Sequence, residues 1–353
     1  MSHETPVRAC TVTRVVWRFE ARITVLTEHN MSKSLLAGLA LAMTLAGCAS
    51  TPAPTPPPMV DTDAIDRIFS TVPVIDDTTP PRRYTPAQGA TLKRRSGYRV
   101  DHSVTSHGQN QRIRFLVLHY TGGDDPAAFR ALTGNSVSAH YLVTATPGEY
   151  QNQPVVMQLV DEDKRAWHAG VSSWGDRVNL NDTSIGIEIV NRGHYTSPDG
   201  LVWDPYSRAQ IELVTALTRD IVDRYGIAPE NVLGHSDIAP GRKVDPGPFF
   251  PWQRLYEAGV GAWPERHVVM RYQRELSAAP LSMTQLQRAL GLWGYPVSVT
   301  GTYDEPTRKA LGAFQMHFRP ADTHGNVDVE SQAILLALLE RYHGLPDVRA
   351  VRQ

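Results

Sequence analysis

Residues 116–123 read Leu116-Val117-Leu118-His119-Tyr120-Thr121-Gly122-Gly123. An apolar run of strand length opens at Ile113, ends in a histidine and passes into a glycine-rich loop. Residues 232–237, Val232-Leu233-Gly234-His235-Ser236-Asp237, repeat the theme of a short apolar strand that ends in His. A third segment follows, Gly241-Arg242-Lys243-Val244-Asp245-Pro246-Gly247-Pro248, in which prolines and glycines fix an aspartate in a loop. Strand ends and the loops that leave them are where a rigid scaffold carries its chemistry.

Outward from these segments the pattern alternates strands and helices. Residues 139–143, 155–160 and 185–190 are further strand candidates. In 207–225 the apolar positions Ile211, Val214, Leu217, Ile221, Val222 and Tyr225 fall on one helical face, and Gly226 stops the helix. A second helix is expected over 250–258, with Pro251 near its start. The expected fold is α/β, a mixed central sheet with flanking helices, over residues 61–262, with an irregular basic lead-in over 61–100. Residues 263–345 form a smaller helical domain. After a connection at 261–275, three helices are expected over 283–292, 305–318 and 328–342, with Asp304 and Asp328 as N-caps and Gly291, Gly294 and Gly344 at ends. No internal repeat is read.

The chain has 353 residues, 35 Lys+Arg and 36 Asp+Glu, a formal charge of -1. That balance argues against a nucleic-acid binder working by phosphate neutralisation. Two cysteines, Cys10 and Cys48, are too few for a disulfide scaffold or a Cys-rich zinc site. No apolar run reaches eighteen residues.

The first sixty residues read as an address. Residues 1–30 look like an upstream extension. Residues 31–47 have a basic start and a short apolar stretch, the pattern of a secretory signal. Leu45-Ala46-Gly47-Cys48 resembles the bacterial lipobox, in which the cysteine is lipidated and becomes the mature N-terminus. Residues 48–60 then comprise the lipidated Cys48 and a stiff Pro-rich linker. With Ala49 and Ser50 after the cysteine and no Asp there, the resemblance implies the outer membrane, facing the periplasm.

Two imidazoles and a carboxylate, each from a strand end or a constrained loop, can form a three-ligand zinc site with an open fourth position. Such a site would carry net +1 and bring a water's pKa down to about 7. From the residues alone a second reading stands beside it, that of structural histidines whose hydrogen bonds are satisfied at strand ends.

His119 in Leu-His-Tyr-Thr, Glu188 in Ile-Gly-Ile-Glu-Ile-Val-Asn and the block 234–247 resemble the zinc-dependent N-acetylmuramoyl-L-alanine amidases of the amidase-2 superfamily, over about residues 100–258. The resemblance implies one Zn²⁺ on His119, His235 and Asp245, Glu188 as acid/base catalyst, and Lys243 stabilising the transition-state oxyanion. It implies hydrolysis of the amide between the lactyl group of N-acetylmuramic acid and L-alanine, in peptidoglycan or muropeptides, including 1,6-anhydro forms. Trp167, His168 and His140 are weaker candidates for substrate contact; Trp167 is read equally as simple core packing, and His140 is read first as a support of the sheet or of the ligands. Asn191 is expected to orient backbone. The stretch 300–315 is similar to the peptidoglycan-binding domain type 1, which implies wall binding by the C-terminal helices; a purely structural bundle that braces the catalytic domain is the other reading. No nucleic-acid or protein partner is inferred. The alternative is a non-catalytic peptidoglycan-recognition lipoprotein; relatives of that kind lose a zinc ligand, whereas His119, His235 and Asp245 are all present here.

Overall fold

The computed structural model describes residues 83–198 and 200–353. The expected extension, signal, lipidated Cys48 and linker, and most of the lead-in, lie outside the described residues. Among the described residues no helix is long and apolar enough to cross a membrane.

Five strands make the central sheet: β1 (Phe115–Tyr120), β2 (Tyr141–Val143), β3 (Met157–Gln158), β4 (Ser184–Ile189) and β5 (Val232–Gly234), in the order β5-β1-β4-β2-β3. The first four in that order run parallel, and β3 closes one edge antiparallel. The strands lie within the expected ranges or one or two residues from them. Only two residues of 155–160 pair, which makes β3 a stub.

Alternation on β4 decides what each face does. Ile185, Ile187 and Ile189 are fully buried in one core with Leu116, Leu118 and the helix α2 (Arg208–Tyr225), through Ile211, Val214, Leu217 and Ile221. Before it in the chain, α1 (Asp125–Leu132) caps a smaller cluster at the other edge. The α2 N-terminus is a capping box: Gln210 N–H donates to Ser207 Oγ and Ser207 N–H to Gln210 Oε1. Gln210 Nε2 also donates to Val190 O at 2.7 Å, tying the helix start to the end of β4.

Phe115, Val117 and Leu233 face the opposite side, in one core with the C-terminal helices. After the short turns α3 (His235–Ile238) and α4 (Trp252–Glu257), these are α5 (Arg266–Ala278), α6 (Met283–Trp293), α7 (Glu305–Phe318), α8 (Val329–Tyr342) and α9 (Leu345–Arg352). Three of them were expected, with Asp304 and Asp328 as N-caps. Two were not. The connection at 261–275 is largely α5, which packs on α8, and α9 follows Gly344. Gly291 lies inside α6, whose C-cap is Gly294.

The helical domain also carries a repeat that composition hides. Gln287 Oε1 accepts from Thr300 and Gly301 N–H, ahead of the Asp304 cap that accepts from Thr307. Gln315 Oε1 accepts from Gly325 N–H, ahead of the Asp328 cap that accepts from Ser331. Gly301 and Gly325 both have positive φ, 75° and 79°, where a side chain would be strained.

Candidate metal and active site

His119 is the fifth residue of β1, and β4 places Glu188 directly beside it in register. Gly234, last residue of β5, pairs with Leu118, so His235 emerges at the same level. All three side chains thus stand at the carboxyl ends of parallel strands, where open α/β sheets hold ligands. Asp245 arrives from the loop after α3, fixed to that turn by the Ser236 N–H bond to Asp245 O at 2.9 Å.

The three expected ligands converge. His119 Nδ1 lies 2.9 Å from His235 Nδ1 and 3.0 Å from Asp245 Oδ2, and His235 Nδ1 lies 3.0 Å from the same oxygen. All three residues are buried. Around tetrahedral zinc with bonds near 2.0–2.1 Å, neighbouring ligand atoms sit ~3.3 Å apart, close to this triangle.

Hydrogen bonds set which ring nitrogens carry protons. Ser184 Oγ–H donates to Leu180 O at 2.7 Å, so the hydroxyl can only accept from His168 Nε2 at 3.1 Å. His168 Nδ1 is then a lone pair, and it accepts from His119 Nε2 at 3.0 Å. That leaves the His119 Nδ1 lone pair pointing at the triangle. His235 Nε2 donates to Ala169 O at 3.1 Å, which turns its own Nδ1 inward. Two lone pairs and a carboxylate oxygen facing one another call for a positive charge among them. A proton on His119 is disfavoured, because burial and then the neighbouring His235 lower its pKa to about 4. The donor set fits a borderline divalent cation with nitrogen and oxygen ligands.

Glu188 shares the face of Ser184 and Gly186, away from the Ile core. Its Oε2 is buried with no hydrogen-bond partner among the described residues. Burial first, and the Asp245 charge second, push its pKa up to about 8, against a lowering pull from Lys243. Glu188, Lys243, His235 and Asp245 line a cleft of about 330 Å³, together with Tyr120, Trp167 and Arg242.

The weaker candidates separate here. Trp167 is half exposed on the cleft rim. His168 lines the cleft as well, though it is mostly buried, and both its ring nitrogens are engaged, one with His119 and one with Ser184. His140 is not among the cleft-lining residues: Nδ1 accepts from Gly186 N–H and Nε2 meets Lys164 O. These two bonds give His140 the sheet-supporting position that was its first reading. Asn191 orients backbone as expected, accepting from Gly193 N–H and donating to Asp204 and Pro205 carbonyls.

Arg242, Ser184 and Asn181 escaped the sequence reading. Arg242 donates to the carbonyls of Ala169 and Val171, and Asn181 Oδ1 accepts from the His168 and Ala169 N–H groups. Gly186 was the available signal. A Cβ there would lie 2.4 Å from the His168 ring, so a glycine amid β-branched residues marked a side chain crossing the strand.

Residues 109–248 match the family described as N-acetylmuramoyl-L-alanine amidase, and residues 281–335 match the putative peptidoglycan binding domain. The N-acetylmuramoyl-L-alanine amidase AmiD of Escherichia coli K12 is 45% identical over 249 residues, 70% of this chain and 90% of that protein. The chain belongs to the N-acetylmuramoyl-L-alanine amidase family. It is accordingly an enzyme, an amidase with an appended peptidoglycan-binding domain. Among solved structures, AmiD from E. coli in complex with the substrate anhydro-N-acetylmuramic acid-L-Ala-D-gamma-Glu-L-Lys is 44% identical with a TM-score of 0.66, covering 72% of this chain and 98% of that one. AMPDH3 from Pseudomonas aeruginosa in complex with anhydromuramic pentapeptide is 44% identical with a TM-score of 0.64, covering 69% and 98%.

Proposed function

We propose that this amidase is zinc-dependent and hydrolyses the amide between the lactyl carbonyl of N-acetylmuramic acid and L-alanine in muropeptides, 1,6-anhydro forms included. The observation that carries the reading is the triangle of buried acceptors beside Glu188, whose buried Oε2 has no hydrogen-bond partner among the described residues. Likeness to two amidases solved with anhydromuramyl peptides supports the substrate class.

His119 Nδ1, His235 Nδ1 and Asp245 Oδ2 would hold the ion. Zinc, when bound, supplies Lewis-acid polarisation of a carbonyl and activation of water at neutral pH. Glu188 takes the proton of the attacking water and passes it to the L-alanine nitrogen as the C–N bond breaks. That second transfer is required because an amide anion is a very poor leaving group. In the metal-free protein, burial and the Asp245 charge raise the Glu188 pKa to about 8, so its carboxyl can carry a proton near neutrality. Lys243 offers a cation to the oxyanion that develops on the carbonyl. Trp167 supplies an apolar rim against sugar or peptide.

The domain limits 61–262 and 263–345 belong to the same proposal, with the helical domain binding the wall and raising local substrate concentration. So does anchoring through a lipidated Cys48 in the outer membrane, facing the periplasm, with residues 1–30 upstream and 31–47 cleaved. The sequence pattern at 31–60 supports it.

Mass spectrometry of muropeptides incubated with the full chain, with and without a chelator, tests the reaction. The expected products are a free-amino L-alanyl peptide and its muramyl sugar, lost on chelation and restored by zinc. Cleavage at another bond, or undiminished cleavage with chelator, overturns the reading.

A further inference from the structure

We propose that the C-terminal helices act on the metal site itself: Tyr295 and His317 hold Asp237, and through it the turn that presents His235 and Asp245. The inference rests on the zinc reading above and assigns the helical domain a task besides wall binding.

Asp237 is fully buried on α3, two residues after His235. Its carboxylate accepts three hydrogen bonds. Gly234 N–H and His317 Nδ1 reach Oδ2, both at 2.8 Å, and the Tyr295 hydroxyl reaches Oδ1 at 2.6 Å. Two of these three donors come from the C-terminal domain. Neither is loosely held. The His317 ring is stacked between Trp252 at 3.8 Å and Phe318 at 4.0 Å. Tyr295 meets Trp174 edge-on at 5.0 Å, and Gly175 N–H donates to Gly294 O at 2.8 Å beside it. Gly294 permits that approach, since a Cβ there would lie 2.4 Å from the Trp174 ring.

The turn transmits this grip to both ends of the ligand set. Gly234 N–H is held by Asp237 just before His235. Ser236 N–H holds the Asp245 carbonyl. A Cβ on Gly234 would lie 2.8 Å from Pro246, so the turn and the Asp245 loop move together. A buried carboxylate stripped of its side-chain donors is strongly unfavourable. Without Tyr295 and His317, Asp237 would turn toward water and carry His235 out of the triangle. Tyr295 and His317 are therefore positioning residues.

The test uses the full chain, because the sheet and the C-terminal helices share one core. Zinc affinity is measured by competition with a chromophoric chelator for the parent, Tyr295→Phe, the double variant Tyr295→Phe/His317→Phe, His317→Asn and Leu335→Ala. The double variant keeps both rings and loses both donors; it should bind zinc about tenfold or more weakly. His317→Asn keeps an N–H near the Nδ1 position and should stay near the parent. Leu335→Ala, in the core of α8, should lower Tm and leave zinc affinity unchanged. Should the double variant not fold, Tyr295→Phe, which removes one hydroxyl, carries the test with a severalfold loss. Parent-like affinity in a folded double variant, or in Tyr295→Phe if that is the variant tested, overturns the proposal. An equal loss in Leu335→Ala does so as well. A parent that takes up no zinc overturns the zinc reading and this inference together.

Discussion

Glu188 pairs with His119 across the parallel strands β4 and β1, so the unpartnered carboxyl and an inward-turned imidazole stand at one level of the sheet. Neither residue can shift along its strand without breaking the register, since a one-residue slip would send the Ile185-Ile187-Ile189 face toward the site. The sheet core thereby fixes the spacing of proton shuttle and metal ligand.

Glu188→Gln keeps the shape of the side chain and removes the shuttle. Turnover should fall by about 10²–10⁴-fold with zinc content unchanged. Kinetics on a soluble muropeptide, with metal analysis of the same sample, check both halves. Near-parent turnover would remove Glu188 from the mechanism.

Glu188 also makes the metal-free protein sensitive to pH. Its folded pKa is raised from 4.5 to about 8, so the folded state binds its proton more tightly than the unfolded state. The resulting contribution is fully present below pH 4.5 and is lost as pH rises through 8. Metal-free Glu188→Gln should match the parent at low pH and exceed it by a few kcal/mol in alkali, on the order set by ~1.4 kcal/mol per pKa unit. Urea unfolding of both chains across this range, with chelator present, measures the difference; a gap that does not grow with pH contradicts the assignment.

Gly186→Ala places a methyl where the His168 ring lies. Overpacking of this kind costs about 1–3 kcal/mol, and displacing His168 frees the His119 tautomer. Both lower Tm and weaker zinc retention are expected. Ser184→Ala, which removes the acceptor for His168 Nε2 and the donor to Leu180 O, should weaken zinc binding with a smaller loss of stability.

Lys243→Met removes the cation and keeps most of the stem. If Lys243 meets the oxyanion, kcat should drop by about 10²–10³-fold with KM little changed. A change confined to KM would assign it to ground-state binding instead.

Cys48→Ala should release the protein from membranes while soluble muropeptide turnover stays at the parent level. Fractionation of cells and intact mass of the mature N-terminus read this directly. Membrane retention in the variant would refute the lipid anchor.

Much of the site was legible because its chemistry is written locally. His119 and His235 end apolar strands, and Asp245 sits among prolines and glycines. Helix α2 was legible for the same reason, with one apolar face and Gly226 at its end, in the left-handed region. The function of His168 was not legible, since facing substrate or facing His119 depends on the gap at Gly186 in another strand. Helix α5 was read as a connection because Glu265 makes no side-chain cap and only Tyr272 and Leu276 are fully covered. Its partner is α8, through the Arg271 and Tyr272 contacts with Glu340, which no local pattern announces. Asp237 looked like an ordinary residue after a ligand; its partners lie 58 and 80 residues away.

The proposed chemistry requires a zinc ion held by His119, His235 and Asp245. Metal analysis of the purified full chain beside Asp245→Ala measures that ion itself. One zinc per parent chain and essentially none in a folded Asp245→Ala variant are predicted. A parent free of zinc after exposure to it, or a variant that retains the parent's full complement, would contradict the claim.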